Sequence, residues 1–461
     1  MVKQQIEIKT ALPGPKSKAI IDDLHEMESA GEIYFRNYNG MPPIVEESKG
    51  CYIKDVDGNT FLDFTAGFAA LPLGHGPEKV VEAVVDQIRK THHTAQMPVE
   101  IRHKLVKRLC NIMPGKLKNN CRVQFDLNGT NVVEIAVKTA RAYTKRPLTI
   151  CYSGGYHGRS ITTLGLTGSA YLKRDYYPVG TGFERIPYPY CYRCPYGKEY
   201  GTCGMQCLKA LDQMLSDPMY GWKDDGSGTN LVAGILFEPC QGAGGYLIPP
   251  KEYWPGVREI CDKHNILMID DEVQMGWGRS GDLFTLSSYG VVPDIMIMGK
   301  AFSAGVAPNA AVVGHKDIMD ALLDSHQSVT FSGSPLGCAA SYAMMDVMEE
   351  ENILENVREV GAYALEKLKA LMDKHACIGE VQGLGLILAV EFVKDRETKE
   401  PAGALRNEVI KEMQRNGVLM TPSGHLGNRI NIVAPLIVTK EQMDVALDAM
   451  DKAITKAEAA L

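Results

Sequence analysis

The sequence predicts an α/β protein with a mainly parallel central sheet covered by helices, and a smaller α+β domain formed by the N- and C-terminal segments. Between about residues 120 and 335, short apolar runs alternate with helical segments, which is typical of parallel sheets with helices on both faces. The flanking segments mix strand and helix patterns. A chain of 461 residues also exceeds the roughly 250–300 residues at which a single core stops growing. We therefore expect two domains.

Six apolar runs are predicted to form the strands of the central sheet. Each is short, rich in aliphatic residues and bounded by polar residues or glycine. The runs are RVQFDL, LTICYS, VAGILFEP, NILMIDDE, PDIMIMGK and AAVVGH. Helical segments such as NVVEIAVKTARAY lie between some of them.

The terminal segments predict the smaller domain. SKAIIDDLHEME predicts a short helix, and GCYIKDVDGNTFLDFTAG predicts two strands around a turn in which Gly58 supplies a positive φ. After the long helix of SPLGCAASYAMMDVMEEE, strand and helix patterns alternate up to a closing helix over 440–460. The predicted division is an N-terminal segment, 1–75, and a C-terminal segment, 336–461, that form the small domain, with 76–335 as the large domain.

Composition and charge exclude several classes of protein. The net charge is −7, and no basic stripe with interleaved aromatic residues occurs, so we expect no nucleic-acid partner. No apolar run approaches the roughly 18 residues that span a bilayer, so we expect no membrane partner. The first residues, MVKQQIEIKTALPGPKSKA, lack the apolar centre of a signal peptide. These features predict a cytoplasmic protein.

Four of the twelve cysteines cluster in YCYRCPYGKEYGTCGMQC, at Cys191, Cys194, Cys203 and Cys207. The first pair has the C-x-x-C spacing of a zinc or iron–sulfur knuckle. The second pair has C-x-x-x-C spacing, and no histidine lies nearby. The alternative is a surface insertion with reduced thiols, and we assign no metal site.

Polar residues that follow the predicted strands are the candidates for chemistry, since functional groups gather at the carboxyl ends of strands in open α/β sheets. After RVQFDL come Asn128, Gly129 and Thr130, at the start of a helix, where backbone N–H groups could bind a phosphate or form an ordinary N-cap. After LTICYS come Tyr156 and His157, set among glycines, where the aromatic ring could stack on a planar ligand or pack in a loop.

An acid and a lysine follow two further strands. Asp271 ends the run NILMID and is followed by Gln274; Lys300 ends the run PDIMIMG, about one βα repeat later. Either residue alone is weak evidence for a functional site, because a lysine or an acid at a strand end is usually solvated. Pyridoxal phosphate (PLP) requires four groups together: a phosphate-binding turn, an aromatic ring that stacks on it, an acid and a lysine. The sequence places all four at one edge of the predicted sheet.

These residues stand in a series of motifs that resembles the class III aminotransferases of the fold-type-I, PLP-dependent superfamily. The motifs YHGRS, EPCQGAGGYLIPP, DDEVQMGWGRSG, PDIMIMGKA and TFSGSPLGCAA occur in the order that the family has. The resemblance extends over nearly the whole chain.

The resemblance implies a role for each site residue. Lys300 would be the Schiff-base lysine and proton shuttle, and Asp271 would pair with the ring nitrogen. Gln274 would reach the 3-oxygen, and Tyr156 would stack on the ring with His157 beside it. The remaining implied roles are phosphate binding by Gly129 and Thr130, phosphate binding in the neighbouring subunit by Thr330, and substrate binding by Glu238.

Three positions depart from the family pattern. Asn128 stands where a serine is common, and Ala243 replaces a frequent glutamate. Asn431 stands where many relatives carry an arginine that binds the carboxylate of 2-oxoglutarate or pairs with the Glu238 equivalent. Arg429 lies two residues earlier, on the same side of a strand, and is the candidate substitute.

The resemblance implies amino transfer from an ω-amino acid to a 2-oxo acid, either 2-oxoglutarate or pyruvate. The donors include 4-aminobutyrate, ornithine derivatives, β-alanine and taurine, and the PYCYRCPYG insertion favours the 4-aminobutyrate type. The alternative is an amino-acid racemase or epimerase on the same scaffold, which Asn431 favours because a racemase needs no oxo-acid site. Since Thr330 would complete a neighbouring site, we expect a homodimer or a dimer of dimers.

Overall fold

The computed structural model describes residues 3–32, 42–95, 97–173, 175–223 and 230–460. The chain divides into two compact units: unit 1 comprises residues 1–78 and 348–461, and unit 2 comprises residues 79–347. The sequence predicted the large domain to begin after residue 75 and to end at residue 335, whereas unit 2 begins after residue 78 and ends at residue 347.

Fourteen helices and fourteen strands are formed by the described residues. The helices are α1 Pro15–Met27, α2 Ala66–Ala69, α3 Glu78–Lys90, α4 Glu100–Ile112, α5 Gly129–Thr144, α6 Ile161–Leu166, α7 Ala170–Lys173, α8 Gln206–Ser216, α9 Tyr253–His264, α10 Lys316–Met319, α11 Pro335–Glu350, α12 Ile353–Lys374, α13 Gly403–Arg415 and α14 Lys440–Ala460. The strands are β1 Val45–Lys49, β2 Tyr52–Asp55, β3 Thr60–Phe64, β4 Cys121–Asp126, β5 Leu148–Tyr152, β6 Phe183–Ile186, β7 Val232–Phe237, β8 Leu267–Asp271, β9 Ile295–Met298, β10 Ala310–His315, β11 Ile378–Leu384, β12 Ile387–Phe392, β13 Val418–Ser423 and β14 Arg429–Ile432.

Unit 2 contains a seven-stranded sheet in the order β4-β10-β9-β8-β7-β5-β6. The pairs from β9 to β6 are all parallel, whereas β10 runs antiparallel to both β9 and β4. All six predicted runs are strands of this sheet, and its mainly parallel arrangement confirms the predicted fold class. β6 was missed because it is an edge strand with the half-polar sequence FERI, which lacks the apolar signature of the central strands.

Apolar side chains cover both faces of this sheet. On one face, α9 packs against β7 and β8, and the ring of Trp254 stacks on Phe237 with the centroids 4.1 Å apart. On the other face, Val132 and Ile135 of α5 belong to a second cluster that includes Ile297 of β9. The central strands are therefore buried on both sides, which fixes their ends in place.

The direction of the strands decides where their polar ends lie. Since β10 is antiparallel to both of its neighbours, β4 runs in the same direction as β5 to β9. The carboxyl ends of β4, β5, β7, β8 and β9 therefore share one edge of the sheet. The candidate residues of unit 2 that follow these strands all start from this edge.

Unit 1 contains a second seven-stranded sheet in the order β1-β2-β3-β13-β14-β12-β11. Its pairs are antiparallel except β3–β13, which joins the N- and C-terminal segments in parallel. The predicted turn joins β2 to β3, with Gly58 at φ 85°, and the predicted closing helix is α14. Among the described residues, no helix combines the length and the apolar character needed to cross a bilayer.

Candidate active site

Lys300 lies directly after β9, in a 3-10 turn over Lys300–Ser303. Its φ of 46° is left-handed, a conformation that costs a non-glycine residue roughly 1–2 kcal/mol. Its side chain is half-buried. Removal of water from around the amine lowers the pKa of Lys300 to about 8, although the charges of Glu238 and Asp271 act in the opposite direction. A lysine with this pKa is partly unprotonated near neutral pH, as a nucleophile or base must be.

Asp271 is the last residue of β8, the strand next to β9, and it pairs in register with Ile297. Its Oδ2 lies 2.7 Å from Nδ1 of His157, and its Oδ1 accepts a hydrogen bond from the backbone N–H of Val273 at 3.1 Å. The side chains of Asp271 and His157 are both buried. The carboxylate is therefore held at both oxygens.

Glu238 follows β7, the next strand along the sheet. One of its carboxylate oxygens accepts from the backbone N–H of Tyr156 and the other from that of Gly242, both at 2.8 Å. Burial raises the pKa of Glu238 to about 6, so the group is mostly ionised at neutral pH. Glu238 thereby connects the loop after β5 to the loop after β7.

The predicted phosphate turn begins α5. Asn128 is the N-cap of this helix: its side chain accepts from the backbone N–H of Asn131 at 2.9 Å. A Cβ atom added to Gly299 would lie 3.7 Å from Cα of Gly129, and one added to Gly158 would lie 2.7 Å from Oγ1 of Thr130. The turn therefore lies against the residue before Lys300 and the loop that carries His157.

Tyr156 and Gln274 also lie close to these groups. The ring of Tyr156 is half-buried, with the guanidinium of Arg159 5.8 Å from its centroid. A Cβ atom added to Gly242 would overlap Oε1 of Gln274 and lie 3.1 Å from Oε2 of Glu238. The amide of Gln274 is thus adjacent to the Glu238 carboxylate.

The structure gives the local surroundings of three further predicted site residues. Thr330 is exposed on a loop of unit 2. Arg429 and Asn431 lie on β14 of unit 1, where Arg429 is 1% exposed and its NH1 lies 2.6 Å from Glu391 and 2.9 Å from Glu380. Two carboxylates of its own unit thus engage the Arg429 guanidinium. Ser423 donates a hydrogen bond to the Asn431 amide oxygen at 2.6 Å.

The four clustered cysteines line one small cavity, together with tyrosines that include Tyr196 and Tyr200. All twelve cysteines lie in the described part of the chain, and none forms a disulfide. Over the described ranges, no group of three or more histidine, cysteine or acidic side chains has a geometry suited to a metal ion.

The sequence did not single out three further residues. Arg279 is fully buried, and its charge contributes to the lowered pKa of Lys300. Val273 supplies the backbone donor to Asp271, and Gly242 leaves room for Gln274. The glycine-rich motifs QGAGG and WGRSG, which contain Gly242 and Arg279, are the signals that could have indicated two of them.

These residues fit PLP on three structural observations. The amine of Lys300 has a lowered pKa, and the anchored Asp271 is at the end of the neighbouring strand. The glycines at 129, 158, 242 and 299 let the loops and turns of the site approach one another closely, because an added Cβ atom would meet neighbouring protein atoms. The helix N-terminus at Gly129 and Thr130 presents the backbone donors that a phosphate needs.

Comparison with known proteins agrees with this fit. Residues 33–454 match the family model of the class-III aminotransferases. The chain is 34% identical over 419 residues to a leucine/methionine racemase of Thermococcus litoralis, covering 90% of this chain and 91% of that protein. It is 33% identical over 422 residues to the 4-aminobutyrate aminotransferase of Escherichia coli, covering 90% of this chain and 94% of that protein.

A solved structure has the same fold. The PLP-bound amine transaminase from an uncultivated Pseudomonas species superposes with a TM-score of 0.84 at 29% identity, covering 94% of this chain and 98% of that one. The family match spans most of the chain. The chain therefore belongs to the class-III aminotransferases, which are PLP-dependent enzymes of fold type I.

Proposed function

We propose that the protein transfers the amino group of an ω-amino acid of the 4-aminobutyrate type to 2-oxoglutarate or pyruvate. Taurine, β-alanine and ornithine-type donors fall within the same proposal. The observation that carries it is Lys300, whose pKa is lowered by the removal of water around its amine, directly after the strand next to the one that ends in Asp271, in a chain of this family. The similarity to the 4-aminobutyrate aminotransferase of Escherichia coli supports the type of donor.

The proposed roles follow the geometry. When bound, PLP supplies an electrophilic aldehyde and an electron-withdrawing ring. Nζ of Lys300 would hold it covalently, and Asp271 would pair with its ring nitrogen. Gly129 and Thr130 would bind the phosphate. Contacts to the ring and its 3-oxygen would come from Tyr156, His157 and Gln274.

Lys300 also serves as the base. With PLP and substrate bound, Nζ of Lys300 would take a proton from the amine-bearing carbon of the substrate. Glu238, Arg429 and Asn431 are the proposed substrate-binding residues. Glu380 and Glu391 both contact NH1 of Arg429, so a substrate carboxylate would share the guanidinium with them.

Replacement of Lys300 tests this proposal. We expect Lys300→Ala to abolish turnover, because the protein then has neither the covalent link nor the base. Turnover is measured with a panel of ω-amino acids against pyruvate and 2-oxoglutarate. Lys251→Ala, which removes an exposed lysine, is the control and should leave the rate unchanged. Full turnover in Lys300→Ala would disprove the assignment.

A second candidate function is racemisation or epimerisation of an amino acid on the same scaffold. It is favoured by Asn431, at the position where relatives carry the acceptor-binding arginine, and by the similarity to the racemase of Thermococcus litoralis. Incubation with a single enantiomer and no oxo acid separates the two functions. Loss of optical rotation would favour a racemase, whereas strict dependence on an oxo acid would favour an aminotransferase.

We also propose that the protein works as a homodimer or a dimer of dimers. Thr330, the residue expected to reach the phosphate of the partner, is exposed and lines an open cavity of about 550 Å³ with Met97 and Thr94. Next to it, Phe331 is 52% exposed and Met97 68% exposed. Exposed apolar side chains beside a functional residue support burial of this surface by a second copy.

A cytoplasmic location completes the proposal. Six of the twelve cysteines are buried and none is in a disulfide, which suits a reducing compartment.

A further inference from the structure

We infer that the stacked rings of Trp277 and Phe302 form a positioning pair, which fixes the turn that begins at Lys300 against the loop after β8. Because that loop directly follows Asp271, the pair sets the position of the lysine relative to the acid. The inference rests on the proposed role of Lys300 as the residue that holds PLP. Both rings are fully buried, so they would act through the placement of Lys300 and not by contact with a substrate.

The turn after β9 has two residues in a backbone conformation that non-glycine residues rarely adopt. Lys300 at its start has a φ of 46°, and Ala304 at its end has a φ of 51°. Hydrogen bonds within the turn, such as the one from the N–H of Phe302 to the carbonyl of Gly299 at 3.0 Å, close the turn but connect it to no other segment. Left-handed backbone of this kind persists only where the surrounding structure determines it. Contacts from outside the turn must therefore hold it.

Phe302 makes such a contact. Its ring, two residues after Lys300, stacks on the ring of Trp277 with the centroids 5.0 Å apart and the planes 11° from parallel. Aromatic pairs favour this offset arrangement. Both side chains are 0% exposed, so neither ring can move aside into solvent. The position of one ring therefore limits that of the other, and the turn follows Phe302.

Trp277 joins the stack to the segment that carries the acid. It lies in the loop that follows Asp271, and its own φ of 61° is also left-handed. A further ring, that of Phe284, contacts Trp277 with the centroids 5.6 Å apart and the planes at 66°. The indole is thus held within its own loop as well as by Phe302. The stack therefore ties the segment that contains Asp271 to the segment that contains Lys300.

The indole N–H shows which part of Trp277 matters. Nε1 is buried and has no hydrogen-bond partner among the described residues. A buried donor without a partner costs stability, so the N–H is not what stabilises the ring in this place. The contribution of Trp277 comes from its flat faces, one of which stacks on Phe302. We therefore expect a phenylalanine at position 277 to preserve the function of the pair.

The pKa of the Lys300 amine tests the positioning role in the full-length protein without added cofactor. It is measured from the pH dependence of acetylation at Lys300 by acetic anhydride, followed by mass spectrometry of the peptide. A displaced turn would admit water to the amine, so we expect the pKa of Lys300 to rise from about 8 towards 10.5 in Trp277→Leu and in Phe302→Met. Trp277→Phe, which keeps a stacked ring, should keep the pKa of the unmodified protein.

Phe284→Leu is the matched control, because it removes a buried ring that contacts Trp277 and leaves the stack with Phe302 in place. It should lower the melting temperature but leave the pKa of Lys300 unchanged. An equal rise in that pKa in Phe284→Leu and Phe302→Met would reduce the stack to general packing and overturn the inference. An unchanged pKa in Phe302→Met would also overturn it. If Trp277→Leu does not fold, Phe302→Met, which keeps a similar apolar volume, still decides.

PLP affinity, measured by equilibrium dialysis, separates this inference from the proposed function. The dissociation constant should rise about tenfold in Phe302→Met, because the amine is no longer held in place, and should stay close to that of the unmodified protein in Trp277→Phe. Unchanged affinity in Phe302→Met would disprove the positioning role. Failure of the unmodified protein to bind PLP would disprove the proposed function, while the acetylation result would still decide whether the stack positions Lys300.

Discussion

Single residues decide the chemistry of this site through what surrounds them. Glu238 and Asp271 lie at the ends of adjacent strands, and each accepts hydrogen bonds at both oxygens. Both partners of Glu238 are backbone groups, whereas one partner of Asp271 is the His157 side chain. A backbone donor cannot titrate, so only Asp271 has an anchor that a side-chain replacement can remove.

Sequence patterns identified most of these residues, but not their contacts. Lys300 and Asp271 could be predicted because each ends an apolar run. The contact between His157 and Asp271 joins residues 114 positions apart, and no local pattern encodes it. Arg279 was missed because an arginine in a glycine-rich loop usually lies in solvent, whereas here it is buried.

The position of Gln274 depends on Gly242. We expect Gly242→Ala to weaken PLP binding by up to about tenfold, because the new methyl group displaces the Gln274 amide, and loss of one hydrogen bond to the cofactor costs about 0.5–1.5 kcal/mol. The dissociation constant is measured by dialysis. In a Gln274→Ala background, the same change should cost little further affinity. Unchanged affinity in the single variant would show that Gln274 is not constrained by position 242.

At the scale of elements, β8 ends in two acidic residues, Asp270 and Asp271, whose environments differ, and Glu272 follows directly after the strand. Asp271 is anchored at the sheet edge, whereas Asp270 points to the opposite face of the strand. Neither carboxyl oxygen of Asp270 has a hydrogen-bond partner among the described residues, and its side chain is fully buried. Burial, followed by the charges of Glu272 and Asp271, raises the pKa of Asp270 well above 3.8. Asp270 is therefore held as the neutral acid.

This state of Asp270 makes stability depend on pH. Above pH 3.8 the unfolded chain releases the proton while the folded chain keeps it, so the free energy of unfolding falls as pH rises, by about 1.4 kcal/mol per unit. Asp270→Asn removes this slope, so the stability gained over the unmodified protein should grow as pH rises above 3.8, up to the raised pKa of Asp270 in the folded protein. Urea unfolding measures it, with the exposed Asp324→Asn as control. A gain that is constant with pH would contradict a buried, protonated Asp270.

At the scale of the whole molecule, the alternation of apolar runs and helices was enough to predict the class of fold, since a strand buried on both faces must be apolar throughout. The direction of β10 could not be predicted, because a buried strand has the same apolar pattern whether it runs parallel or antiparallel to its neighbours. The same limit applies to the parallel pairing of β3 with β13, which joins segments more than 350 residues apart in the chain.

Assembly is the prediction that belongs to this scale. We expect Met97→Glu to weaken the proposed homodimer, because it places a charge on the apolar surface beside Thr330 and Phe331. Analytical ultracentrifugation measures the mass, which should fall towards the 50.6 kDa of a single chain. Met219→Glu, at a methionine that is 90% exposed elsewhere, should leave the mass unchanged. A dimer that survives Met97→Glu at micromolar concentration would place the interface on another surface.

The antiparallel strand β10 supplies none of the side chains assigned to the cofactor, yet it works as a spacer. Adjacent strands lie about 4.8 Å apart, so β10 separates β4 from β9 by two strand widths, about 9.5 Å, and the turn after β4 reaches back to Gly299. Its side chains can change as long as they remain apolar. Deleting the strand would bring β4 one strand width closer to β9, and the turn after β4 would no longer fit against Gly299 as it does here. The sequence of β10 can therefore vary among apolar residues, but the strand itself has to be retained.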